Sequence, residues 1–157
     1  MRLFTIGFTK KSAEVFFELL RASGAVRLVD VRLNNSSQLA GFAKREDLAY
    51  LLDRVCGMEY AHVLDLAPTA EMLQAYRKHQ VPWVEYESQF VDLMMSRRVE
   101  TIVSRTLLDN SVLLCSEETP EHCHRRLVAE YLASHWEGLR ITHLVHPPAN
   151  DLHEHLK

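Results

Sequence analysis

The chain is poor in cysteine and has no excess of positive charge. Of its 157 residues only Cys56, Cys115 and Cys123 are cysteines. An odd, sparse set excludes a disulfide framework. It fits a reducing, cytoplasmic setting, where each thiol is a buried small hydrophobe or a reactive group. No apolar run reaches the length needed to cross a bilayer. The opening Met-Arg-Leu-Phe-Thr-Ile-Gly is too short and too quickly polar for a secretory signal. Lysine and arginine number 18 against 21 aspartates and glutamates, a formal charge of −3. That is not the basic footprint of a general nucleic-acid binder, although a local basic patch stays open. Linkers, internal repeats and low-complexity stretches are also missing.

What is there is a core. Apolar side chains make up 47% of the chain and charged ones 25%, which excludes disorder and fits one domain rather than two. Short β-branched or apolar runs at 2–6, 28–32, 59–63, 111–115 and 140–145 read as strands. Helical spacing follows Ser12 up to Gly24, with Val15, Phe16, Leu19 and Leu20 as the apolar stripe. Further helices are expected over 45–56 (Leu48, Leu51, Leu52 and Val55 on one face), 69–79, 83–98 and 99–108. A last helix is expected to open at Thr119-Pro120, with Thr119 as its N-cap, and to end near Trp136. Alternating strands and helices predict a single α/β domain over 1–146. Its expected form is a three-layer sandwich of about five mostly parallel strands with helices on both faces, followed by a polar tail over 147–157. Function in such sheets sits outside the carboxyl ends of the strands. Three places qualify: after Ile6, after Val31 and after Leu114.

The stretch from Cys115 to Arg126 is the richest. Helical spacing puts Cys123 under Leu127 and His124 under Val128, both facing inward, with Arg125 on the flank and Arg126 outside above Glu130. A thiol near a helix N-terminus beside arginine and histidine is in surroundings that lower its pKa, so Cys123 is expected to be the most reactive of the three. Cys56 is expected to be a packing residue. The competing view is a core thiol and a backbone-satisfied histidine. A cysteine-phosphatase loop does not fit: the sixth residue after Cys115 is Glu121, not arginine, and Glu117 and Glu118 would repel a phosphate. A zinc site from Cys115, Cys123 and His124, with Glu117 as fourth ligand, lacks the usual paired spacing, and no metal is assigned.

On the second strand, Asp30 and Arg32 share one face, and a carboxylate in an apolar strand must find a partner. Asp30 is therefore expected to be buried against an arginine or backbone N–H groups. Arg32 is either half of a structural ion pair or an anion anchor held by Asp30. The polar loop Asn34-Asn35-Ser36-Ser37-Gln38 is either a recognition loop or a solvated turn. Trp83, Tyr86 and Phe90 at helical spacing read as core, with Trp83 able to line a pocket. His143 reads as structural; His153 and His155 belong to the tail.

Thr-Ile-Gly after the first strand, Leu-Val-Asp-Val-Arg on the second and Cys-x-Glu-x-x-Pro-x-x-Cys-His-Arg near the end resemble the bacterial family called domain of unknown function 488. The resemblance runs from about Leu3 to Leu132 with the motifs in order. Arg32 to Phe42 looks like one subgroup; many relatives carry a proline in that loop, and this chain does not. The resemblance implies a compact α/β fold and a cytoplasmic bacterial protein, and it supplies no reaction. Its motif positions fall on Gly7, Asp30, Arg32, Cys115, Glu117, Cys123, His124 and Arg125. These come from the three strand ends chosen above, so a shared pocket is expected at the carboxyl edge.

Two functions of different class follow, and a third stays open. The first is an enzyme acting on a polar or anionic small molecule, or on a nucleotide or nucleic-acid end. Arg32 and Arg125 would hold the anion with Asp30 and Gly7 in support, Glu117 or His124 would move protons, and Cys123 or Cys115 would be nucleophile or contact. The second is a non-catalytic binding module tied to nucleic-acid metabolism. The third is a structural partner subunit. No cofactor, substrate or oligomeric state can be read from the residues.

Overall fold

The computed structural model describes residues 1–36 and 41–146. The expected tail and its histidines, and Ser37 and Gln38 of the polar loop, lie outside the described residues. Five strands form one sheet: β1 (Arg2–Gly7), β2 (Arg27–Asp30), β3 (Glu59–His62), β4 (Ser111–Cys115) and β5 (Arg140–His143). Their spatial order is β3-β2-β4-β1-β5, and every neighbouring pair is parallel. Parallel pairing demands crossover connections, which the helices supply. They are α1 (Ala13–Ser23), α2 (Arg45–Leu51), α3 (Ala70–Arg77), α4 (Trp83–Arg97), α5 (Val99–Ile102), α6 (Arg105–Leu108) and α7 (His124–His135).

Alternation along the strands builds a core on each face. Phe4, Ile6, Leu28, Val112 and Leu114 pack with Phe16, Phe17 and Leu20 of α1 and Leu48 of α2. Leu3, Val29, Leu113 and Cys115 pack on the other face with Phe90 and Met94 of α4 and Leu127, Val128 and Leu132 of α7. The single α/β sandwich is therefore present, and its sheet is wholly parallel.

Three elements depart from the sequence reading. The expected helix over 99–108 is split in two: Val103 is extended, and the Ser104 hydroxyl caps α6 by accepting from Leu107 N at 3.3 Å. Beyond α2 the chain continues as a π turn, Leu52–Cys56, and the wider turn rotates Val55 off the apolar face to 40% exposure. The last helix does not open at Thr119-Pro120; α7 starts at His124 with Cys123 at the N-cap position. The carbonyls of Pro120 and Glu121 accept instead from the Arg126 guanidinium, at 3.2 and 3.1 Å, which holds this stretch as a turn.

Candidate active site

The carboxyl end of β4 carries Cys115, and the N-terminus of α7 carries Cys123 and His124 directly opposite. His124 Nδ1 lies 3.2 Å from Cys115 Sγ, and its Nε2 lies 2.7 Å from the Val31 carbonyl oxygen. A carbonyl can only accept, so Nε2 carries the proton and the Nδ1 lone pair faces the sulfur. Cys115 Sγ, Cys123 Sγ and His124 Nδ1 all lie within 4.8 Å of one another, and all three residues are buried.

The two thiols titrate in opposite directions. At Cys115, burial pushes the pKa up, but the Cys123 thiol hydrogen bond, the Arg125 charge and the Ser116 backbone N–H outweigh it and leave the group below its ordinary value. At Cys123, burial is again largest, the Cys115 sulfur adds to it, and the pKa stands well above the ordinary range. The expected low pKa of Cys123 is thus reversed. Dipole and cationic neighbours are present, but the side chain is only 2% exposed, and desolvation wins. Cys115 is thus the more acidic thiol of the pair, and Cys123 stays protonated beside it.

Arg125 corrects a second expectation. It is not on a flank but fully buried, and Nη1 donates to the Glu117 carbonyl at 2.7 Å. Its Nε and Nη2 are buried without a hydrogen-bond partner among the described residues. Gly7 explains how the loop comes so close: a Cβ there would overlap the Glu117 carbonyl and crowd Arg125 Nη1. Gly7 therefore clears the path for the Cys115 loop and does not reach the cavity.

The second motif is a closed network. Arg32 Nε and Nη2 donate to the two Asp30 oxygens at 2.9 and 2.8 Å, with both residues buried. Nη2 also donates to the Ala43 carbonyl at 2.7 Å, and the guanidinium lies over the Phe8 ring. Tyr60 donates to Asp30 at 2.7 Å, and burial together with this bond raises the tyrosine's pKa. His62 Nε2 donates to the Arg32 carbonyl at 2.7 Å, which leaves Nδ1 to accept from Asn35 Nδ2 at 3.1 Å. Arg32 Nη1 is buried without a partner among the described residues.

A cavity of about 550 Å³, counted to its open mouth, joins the two motifs. Cys115, Cys123 and His124 form its floor, and Arg32 and the exposed Glu117 lie on its wall. Asp30, Gly7 and Arg125 stand behind this wall rather than on it. The opposite side is aromatic: Tyr76, Trp83, Tyr86 and His122, with the Trp83 and His122 rings stacked at 5.0 Å and 21°. Trp83 is held by its Nε1 donating to Glu87 at 2.9 Å. Arg77 lines the mouth.

The family model described as Domain of unknown function DUF488 matches residues 12–132. The chain belongs to this family. No curated protein and no solved structure matches it. The DUF488 match spans Asp30, Arg32 and the whole Cys115–Arg125 motif but begins after Gly7. In this DUF488 member, sequence reasoning missed Tyr60 and His62, because strand order decides that β3 lies beside β2, and it named Asn35 only as part of the polar loop. It also missed Tyr76 and His122. His122 had a signal, since it sits inside the Cys-His motif and one turn's reach from the cavity. Among the described residues, no helix is long and apolar enough to cross a membrane.

Proposed function

We propose that the protein is an enzyme acting on a small anionic molecule with a flat or aromatic part, bound in the cavity between Arg32 and the Trp83–His122 stack. The observation that carries this reading is the meeting of Cys115, Cys123 and His124 at the floor of a cavity whose wall includes the buried Arg32. Each group then has work to do. Cys115 supplies the nucleophilic sulfur, made more acidic by the Cys123 hydrogen bond and the Arg125 charge. Cys123 is the proton donor of the pair. His124 is held with its lone pair towards the sulfur and can take a proton there. Arg32, fixed by Asp30, offers Nη1 to an anionic oxygen, and the aromatic wall takes the flat group. Glu117 at the rim can exchange protons with solvent.

The test uses two alkylating agents of similar size and different charge, read at each thiol by mass spectrometry. Iodoacetate should label Cys115 faster than neutral iodoacetamide does, against the trend for a free thiol. Arg32→Met should lower that preference at least ~10-fold, the size of losing one charge-assisted hydrogen bond. Preferential labelling by iodoacetamide, or labelling of Cys123 ahead of Cys115, would overturn the reading.

A further inference from the structure

Three soft donors converge at the cavity floor, and they meet the requirements of more than proton transfer. We propose that Cys115 Sγ, Cys123 Sγ and His124 Nδ1 form a binding site for a divalent cation of the zinc class, with the fourth position open to the cavity. The atoms already lie within 4.8 Å of one another, and the imidazole–Cys115 pair is at 3.2 Å. A tetrahedral ion with bonds of about 2.3 Å to sulfur and about 2.0 Å to nitrogen needs separations of roughly 3.5–3.8 Å. Adjustments of a few tenths of an ångström to about one ångström seat it.

Two independent features point the same way. His124 gives its other N–H to the Val31 carbonyl at 2.7 Å, the outer partner that fixes tautomer and ring orientation in metal-ligating histidines. Cys123 occupies the N-cap position of α7 but makes no side-chain capping bond, so the helix does not use its sulfur. The adjacency of Cys123 and His124, unusual in sequence, is no obstacle here. One is the cap and the other the first helical residue, and both side chains turn to the end of β4.

The charges close. Two thiolates balance a divalent cation, and the imidazole is neutral. The buried Arg125 then adds one positive charge beside the site, which favours a hydroxide or an anionic oxygen at the fourth position. Binding forms two metal–sulfur bonds and one metal–nitrogen bond and sends the Cys123 proton, with any on Cys115, to the buffer. With the ion bound, the sulfurs are ligands, and the open position becomes the place where the substrate's anionic group docks. Only this last role rests on the cavity reading above; metal binding stands without it.

The experiment is a Co2+ titration of the reduced, chelator-treated full chain. One equivalent should give an intense sulfur-to-cobalt charge-transfer band and the strong visible bands of four-coordinate cobalt, and one equivalent of Zn2+ should bleach both. Zn2+ should also protect Cys115, and not Cys56, from iodoacetamide at neutral pH, and should protect Cys123 at a pH high enough to label it. Cys123→Ser or His124→Ala should weaken cobalt binding more than ~100-fold, beyond what loss of an outer partner costs, whereas Cys56→Ser should leave it intact. The wild-type spectrum and protection decide the matter if a variant does not fold. A weak six-coordinate spectrum, no saturation at one equivalent, or equal labelling of all three thiols would overturn the site. Cobalt binding without iodoacetate selectivity keeps the metal site and removes the anion reading; selectivity without cobalt binding does the reverse.

Discussion

Arg32 and Arg125 are both buried at the carboxyl edge of the sheet, yet Arg32 is gripped by the Asp30 carboxylate while Arg125 binds one carbonyl and acts on the Cys115 sulfur. The first couple is saturated. Tyr60, Ala43 and the Arg32 backbone N–H complete the bonds around the two charges, and among the described residues one guanidinium nitrogen is left over. The second leaves two nitrogens unpartnered among the described residues and lies beside a sulfur whose pKa its charge lowers. A carboxylate bound in this way is a structural device. A thiol made more acidic by a neighbouring thiol and one positive charge is available for chemistry. The same edge thus supports a rigid wall and a reactive floor, separated by the alternation of side chains between the two faces.

The largest expected effect breaks the saturated couple. Asp30→Ala leaves the Arg32 charge buried without its partner and should cost about 3–5 kcal/mol in urea unfolding. An unchanged midpoint would mean that Asp30 does not hold Arg32. Next comes the close approach that seats the other arginine. Gly7→Ala forces a Cβ into the Glu117 carbonyl and should cost about 1–3 kcal/mol. It should also slow Cys115 alkylation, because the loop carrying Glu117 must move; a neutral substitution would remove Gly7 from the account. Arg125→Met keeps volume and removes charge. It should cost about 1–3 kcal/mol for the orphaned Glu117 carbonyl, less than Asp30→Ala. Unlike Asp30→Ala, it should raise the Cys115 pKa. Equal effects of the two substitutions on that pKa would erase the distinction between the couples.

Linkage gives the sign of a smaller effect. The folded pKa of Cys115 is depressed. Its contribution to stability is therefore present above the unfolded thiol value of ~8.5 and is lost as pH falls through the folded value. Wild type should gain stability over Cys115→Ser as pH rises towards ~8.5, measured by urea midpoints at a series of pH values. A constant difference would place the thiolate elsewhere. The smallest effect is on the surface. Arg126 pairs with Glu130 and Glu87 at 3.0 Å each, across partners that are half exposed, and Arg126→Ala should lose no more than ~1 kcal/mol from those ion pairs.

The sequence shows the strand ends well and their surroundings poorly. Unbroken apolar residues mark β4, period-two alternation puts Asp30 beside Arg32, and the break after Cys115 marks the loop. These are local signals. Tyr60, the further partner of Asp30, comes from β3, and nothing in the residues 59–62 says that this strand pairs with β2. The aromatic wall comes from α3, α4 and the turn before α7, three segments whose meeting depends on the crossover. Cys123 was misjudged for a related reason. Helix position and charged neighbours are visible in the chain, but the desolvation that outweighs them is set by packing against Tyr86 and the sheet.

The central claim is that Cys115, not Cys123, is the more acidic thiol of the pair. Its most direct test is the pH profile of alkylation of wild-type protein, followed separately at each of the three cysteines by mass spectrometry. Cys115 should be modified first at neutral pH, with an apparent pKa below the ordinary ~8.5, while Cys123 stays unreactive until the pH is well above it. Faster modification of Cys123, or a Cys115 profile that rises only above ~8.5, would contradict the account.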